Sequence, residues 1–315
     1  MESTMMDGWT MGTNDLGAVS RRTLKSPIDC VGVGLHGGQK VNMRLVPAAP
    51  GTGVVFFRTD LNAALPARFD WVVDTRLCTV IGHPSDLQLR VGTVEHVLAA
   101  LSASGVDDVL IELDGPEIPI LDGSAAAFLF LIQCAGTTAH GGMREMLHIA
   151  RIVRVEQGES FAELRPGPPG DHGFDMALSI DFPAQAIGRQ ALNLRLTPES
   201  FAAELAQART FTMAAEIAAL REAGLAQGGS LDNAIVVDDH KILNENGLRW
   251  KDEFVRHKLL DVVGDLALAG APIAGRFIAS RTGHALNNKL LRALFADQAN
   301  IHRSLPTLAP MALSA

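Results

Sequence analysis

The densest run of residues able to do chemistry is His257-Lys258-Leu259-Leu260-Asp261-Val262-Val263-Gly264-Asp265. On a helix, residues four apart share a face, so His257, Asp261 and Asp265 fall on one stripe, a turn apart. An imidazole nitrogen and a carboxylate oxygen at that spacing can share a zinc ion, but the same spacing also suits an ordinary hydrogen bond or a partly exposed ion pair. A catalytic zinc site usually has three protein donors and an open position, so a third donor must come from elsewhere. His96 is the best candidate, because it begins an apolar helical run beside Glu95, a carboxylate placed to act as a base toward water. The plainer account of that pair is a glutamate in favourable contact with a helix start and a partly buried histidine.

Three further residues carry weaker signals. Gly283-His284 precedes the helix start Asn287-Asn288-Lys289 and puts an imidazole on a loop or first turn, where most histidines are simply solvated. Thr210 and Phe211 lie in Ala208-Arg209-Thr210-Phe211, where a helix cap for the hydroxyl and core packing for the ring explain them equally well. No Walker loop, GxSxG elbow or HExxH motif occurs, which removes support for those enzyme classes. Cys30, Cys78 and Cys134 are far apart and odd in number, so neither a disulfide framework nor a thiolate zinc site is expected.

The elements that must position these groups come from a chain of 315 residues, long enough for two domains with a core each. A formal charge of -8 argues against a general nucleic-acid binder, which needs a basic surface. The most apolar stretch, near Ala125–Gly136, is shorter than the ~20 residues of a membrane-spanning helix. Glu2 and Asp7 stand where a secretory signal would carry basic residues. Cytoplasm and a monomer are the expected state.

Short β-type segments dominate the first part, among them Val41–Val46 and Val54–Arg58. The spacing of Val94, Val97, Leu98 and Leu101 predicts a helix over 93–103, stopped by Gly105 and followed by a buried strand at 109–113. Helices are also expected near 124–134, 198–206, 213–222 and 254–269. The polar, Gly-rich segment 137–144 reads as a domain boundary, giving a tail at 1–19, domains at 20–143 and 144–305, and a second tail at 306–315. The halves also echo each other. VEHVLAALSASG then VDDVLIEL, and FVRHKLLDVVGDLALAG then APIAGRFIAS, are each a helix, a glycine stop and a strand, with a further helix after each. Duplication of an α+β unit follows, placing His96 and His257 at corresponding positions, able to face each other across a domain interface.

Taken together, these blocks resemble the UDP-3-O-acyl-N-acetylglucosamine deacetylase family. The resemblance rests on GVGLH at 32–36, TVEHVLAAL at 93–101, PEIPILDGSA at 116–125, ARTF at 208–211, GGSLDNAIVVDD at 228–239, LNENGLRWKDEFVRHKLLDVVGDL at 243–266 and GHALNNKLL at 283–291. It spans roughly residues 20–305. It implies an α+β fold of two similar domains, each a sheet packed with a helical layer, with the active site where they meet. It further implies removal of the N-acetyl group from an acylated UDP-N-acetylglucosamine, an early step of lipid A synthesis, with Zn2+ held by His96, His257 and Asp261. Iron or cobalt suits such a set of nitrogen and oxygen donors too.

By the same resemblance Glu95 is the general base, and Thr210 helps stabilise charge on the carbonyl oxygen. His284 is a general acid or cationic stabiliser, with Asp265 orienting it. Lys258 corresponds to a residue that meets the sugar-nucleotide portion, although a solvated helix lysine is the plain alternative. Phe211 and Ile217 match residues lining an acyl-chain passage, which core packing would explain as well. Two departures bear on substrate contacts rather than chemistry: Pro183-Ala184-Gln185 replaces a common His-Pro after Ile180-Asp181-Phe182, and Arg281 stands where lysine is usual. The expected partner is the acylated UDP-sugar, met with at most a transient approach to the inner membrane. A catalytically silent homologue that binds a sugar nucleotide or a regulatory partner is the alternative.

Overall fold

The computed structural model describes residues 20–305, so the tails expected at 1–19 and 306–315 lie outside the described residues. Two sheets of matching plan form its frame. In the first, the hairpin Ile28–Val33/Lys40–Pro47 sits antiparallel to Val109–Leu113, which runs parallel to Val54–Arg58, itself antiparallel to Ala63–Pro66. In the second, the hairpin Val153–Gln157/Ser160–Arg165 sits antiparallel to Ile273–Ser280, which runs parallel to Phe174–Asp181, itself antiparallel to Arg189–Leu196. Strand order and every relative direction agree. The second sheet is extended at one end by Met146–Ile149 and Ile301–Ser304.

Alternation explains how these strands face a core. Lys40–Pro47 buries Val41, Met43 and Leu45 on one side and turns its intervening polar residues outward. Phe174–Asp181 does the same with Phe174, Met176, Leu178 and Ile180.

Helices α1 (Glu95–Ala103) and α2 (Ala126–Ala135) flank the central strand of the first sheet in sequence. A single turn α3 (Pro198–Ser200), capped by Thr197 and running into a π-turn at Phe201–Leu205, and the surface helix α4 (Ala214–Glu222) precede α5 (Glu253–Ala267). The last helix, α6 (His284–Ala296), stands to the second sheet as α2 does to the first. The echo of helix, glycine stop and strand is therefore real at the level of topology. Gly105 and Gly270 end α1 and α5 at positive φ, 67° and 80°, a conformation that glycine adopts without a Cβ penalty.

Segment 137–144, read as a polar, Gly-rich stretch before the second half, is mostly the strand Thr137–Met143, paired antiparallel with Ser20–Leu24. Its glycines and hydroxyl residues carry no apolar alternation because it is a half-exposed ribbon, held by its ladder rather than by core burial. Elsewhere the expected helix limits move by a few residues only.

Helices α1 and α5 are the middle layer. Apart from Ser102, every residue of α1 is buried, and α5 buries all but Arg256, Lys258 and Ala267. They meet backbone to backbone at Gly264, where an added Cβ would lie 1.9 Å from the Glu95 carbonyl oxygen. No side chain fits that space, so Gly264→Ala must push the helices apart. Overpacking of this kind costs about 1–3 kcal/mol, and denaturant unfolding should register it together with lost activity; unchanged stability would mean that the crossing is loose.

Candidate metal centre

The crossing brings together residues remote in sequence. Glu95 and His96 form the first turn of α1, while His257, Asp261 and Asp265 line successive turns of α5, and His284 opens α6. All six are at most 8 % exposed. His257 Nε2 lies 3.3 Å and His96 Nε2 3.6 Å from the same Asp261 oxygen, Oδ1. The two imidazole rings are 5.1 Å apart, nearly perpendicular.

His96, His257 and Asp261 each offer a ligand atom, and these lie within 4.8 Å of one another. Asp261 Oδ1 and His96 Nδ1 are buried with no hydrogen-bond partner, a costly condition that a cation among the three would relieve at the carboxylate. Protonation states agree with the donor set. Burial pushes His257 down to about 4 against the pull of Asp261, so its Nε2 lone pair is free at neutral pH. Its Nδ1 must carry the proton, since it meets the Ala208 carbonyl at 3.0 Å and a carbonyl only accepts. Burial opposes the Asp261 carboxylate, but proximity to His257 and the Lys258 ammonium lowers its pKa well below the ordinary value. Lys258 Nζ donates to Asp261 Oδ2 at 2.8 Å, leaving Oδ1 turned to the histidines. The residues present, two imidazoles and a carboxylate, fit a bound metal ion.

Beside the triad is a second chain of contacts. Asp265 Oδ2 accepts from His284 Nδ1 at 2.9 Å and from Asn287 Nδ2 at 2.8 Å, and its Oδ1 accepts from Thr79 Oγ1 at 2.6 Å. Burial works against a charged His284, yet Asp265 and Glu95 outweigh it and raise its pKa to about 9. The other ring nitrogen, Nε2, faces Glu95 Oε1 at 3.7 Å, beyond hydrogen-bond reach. Glu95 is raised by burial, only partly offset by His284 and His96, as suits a carboxylate that must take up a proton. Its Oε2 accepts from the Thr79 backbone N–H at 3.1 Å.

Sequence reasoning gave no role at the site to Thr79, Asn287 or Glu117. Thr79 holds both carboxylates at once, one through its backbone and one through its hydroxyl. Asn287 falls in a quoted block, GHALNNKLL, and its i+3 spacing from His284 was the available clue. Glu117 accepts from the Thr93 hydroxyl and from the backbone N–H groups of His36 and Gly37, and so ties the 34–37 loop to the start of α1, where Thr93 has φ of 57°.

An 810 Å³ cavity opens over Glu95, His96, His257, Asp261 and His284, with Asp265 behind them, and is also lined by Lys258, Thr210 and Phe211. Thr210 and Phe211 further line an adjoining 320 Å³ cavity, whose other walls include Leu35, Ile217, Leu220 and Leu231. Phe211 packs edge-on against Phe254, Phe182 and His257, so it is a packing residue that also faces the cavity. Ile217 belongs to a helix with no buried residue, which removes core packing as its explanation. Arg281, at φ of 52°, pairs with Asp181 at 2.7 Å and with Glu159. The three cysteines are unpaired, as expected. Among the described residues, no helix is long and apolar enough to cross a membrane.

Comparison with known proteins gives the same direction. Residues 21–296 match the family described as UDP-3-O-acyl N-acetylglycosamine deacetylase. A UDP-3-O-acyl-N-acetylglucosamine deacetylase of Haemophilus influenzae (strain 86-028NP) is 49% identical over 284 residues, covering 89% of this chain and 91% of that protein. Proteins of the same name from Acidithiobacillus ferrooxidans and Pasteurella multocida are each 48% identical over the same shares. With a match over nearly the whole described chain and a buried His-His-Asp triad at the crossing of its two halves, the protein belongs to the UDP-3-O-acyl N-acetylglycosamine deacetylase family.

Proposed function

We propose that this protein hydrolyses the N-acetyl group of a UDP-3-O-(3-hydroxyacyl)-N-acetylglucosamine, giving acetate and the free amine, a committed step of lipid A synthesis, with zinc held by His96, His257 and Asp261. One observation carries the reading: a metal-binding triad, a buried carboxylate and a carboxylate-held imidazole share one cavity that adjoins an apolar branch. Zinc, when bound, lowers the pKa of a water to about 7 and polarises a carbonyl.

The chain's own residues do the rest. Glu95 removes a proton from the water that attacks the acetamide carbon, its affinity for that proton raised by burial. Thr210 lines the cavity beside the triad and hydrogen-bonds the carbonyl oxygen as negative charge gathers there. His284 is protonated at neutral pH, and its Nε2 gives the proton that lets the amine leave as the carbon–nitrogen bond breaks. Asp265 fixes the ring through Nδ1, so the proton to be transferred is the one on Nε2. Lys258 lines the cavity where the sugar-nucleotide enters, with its ammonium already held on Asp261. Phe211 and Ile217 face the acyl chain in the smaller cavity.

Residues 20–143 and 144–305 form the two domains. The protein works as a cytoplasmic monomer that approaches the inner membrane only in passing, because its substrate joins a soluble nucleotide to one acyl chain. A silent sugar-nucleotide binder would have no need of Glu95, His284 and the triad together.

Acetate release from the acylated UDP-sugar should be lost on chelation, return with zinc, and fall by about 10²–10⁴-fold in Glu95→Ala, the usual share of a general base. Metal-loaded protein that releases no acetate would redirect the search to another substrate. The pH profile of kcat/KM should be bell-shaped. His284 is competent while protonated, so activity declines as pH rises through its pKa, and His284→Ala should lose that alkaline limb; an unchanged limb would remove His284 from the acid's role. Thr79→Val keeps the N–H to Glu95 and deletes the hydroxyl to Asp265, and should lower kcat by roughly 10-fold with little change in KM. Thr79→Ser should restore it.

A further inference from the structure

The peptide group joining Ala208 to Arg209 is gripped at both ends by α5. Its carbonyl accepts from His257 Nδ1–H at 3.0 Å, and its N–H donates to Glu253 Oε1 at 3.1 Å. Glu253 and His257 are four residues apart, so two side chains one turn apart on the same helix hold one peptide plane between them. Glu253 is fully buried, and three of the four bonds it accepts come from Arg209. Oε1 also takes Arg209 Nε at 2.9 Å, while Oε2 takes Arg209 Nη2 at 3.2 Å and the Arg249 N–H at 2.6 Å. The next residue, Thr210, is tied to the first half of the chain by its N–H to the Gly123 carbonyl at 2.8 Å.

Metal-bound histidines normally give their second N–H to a carboxylate or a carbonyl, which fixes the tautomer and makes the ligating nitrogen more basic. Here a carboxylate and a carbonyl act in series. A negative charge on the peptide N–H polarises the peptide and strengthens its carbonyl as an acceptor, an effect that persists in a dry interior. We propose that Glu253 is a positioning residue for the metal centre, acting on His257 through the Ala208–Arg209 peptide group. This rests on the zinc reading above, and it assigns Glu253 more than the neutralisation of Arg209.

The two roles separate by mutation. Glu253→Gln removes the charge from the peptide N–H. Arg209→Met removes the ion pair but leaves the residue 209 N–H on the Glu253 carboxylate. Competition against a chelator reads the zinc affinity of each purified protein, and unfolding reads its stability. Arg209→Met should lose stability yet bind zinc within about 3-fold of the parent, while Glu253→Gln should bind roughly 10–100-fold more weakly, the range for lost outer partners of a ligand. Equal zinc affinity in Glu253→Gln and the parent would overturn the proposal, as would an equal loss in both variants. Should either variant fail to fold, a long-range 1H–15N spectrum of the parent holoenzyme decides. A slowly exchanging proton on His257 Nδ1 supports the relay, and a Nδ1 without a proton overturns it. A parent that binds no zinc would instead sink the zinc reading itself.

Discussion

The approach of α1 to α5 without a side chain between them is the constraint on which the rest depends. At Gly264 the two helices touch through backbone, close enough that a methyl group would overlap the Glu95 carbonyl. That contact sets the distance from the first turn of α1 to the middle turns of α5. Glu95 and His96 on one side and His257, Asp261 and Asp265 on the other then converge on a single volume. The duplicated strand order gives the same result from the other direction, since each sheet carries its central helix ahead of its central strand.

Burial of charge is the second constraint, and it follows from the first. Helices this close exclude water, so Glu95, Asp261 and Asp265 must find partners within the protein. Lys258 serves Asp261, and Thr79, Asn287 and His284 serve Asp265. Counted with Glu95 ionised, three carboxylates face two cations, Lys258 and His284. The deficit is concentrated at Asp261 Oδ1, the oxygen left with no donor. A cation held among the His96, His257 and Asp261 donor atoms would meet that charge at the oxygen that has no donor.

Much of this was legible in the sequence, for identifiable reasons. His257, Asp261 and Asp265 share a helix, so a spacing of four announces a common face before any fold is known. His96 stood out as a third donor through its place beside Glu95 and its echo of His257, whereas a role for His284 came only from the resemblance, because nothing local sets a loop histidine apart. Thr79 and Glu253 were not legible at all. Each acts across a long stretch of chain, Thr79 on Asp265 and Glu253 on the Arg209 peptide, and hydrogen bonds between distant segments leave no periodic trace. The strand Thr137–Met143 was missed for a related reason: its partner, Ser20–Leu24, lies at the other end of the first half, and a two-stranded ribbon does not need the apolar alternation that marks a core strand.

The arrangement also accounts for how one site can handle a substrate that is ionic at one end and oily at the other. Around the triad the cavity is walled by charged groups already committed to one another, so an incoming acetamide meets fixed dipoles rather than mobile water. The smaller cavity is apolar, and its outer residues Leu77 and Leu231 are about half exposed, 50% and 48%. Thr210 and Phe211 belong to both cavities, and both follow directly on the peptide that Glu253 and His257 hold. Fixing that peptide therefore fixes three things together: the tautomer of His257, the place of the Thr210 hydroxyl, and the Phe211 ring at the junction of the two cavities. A displacement at Glu253 would reach chemistry and chain placement through the same few atoms.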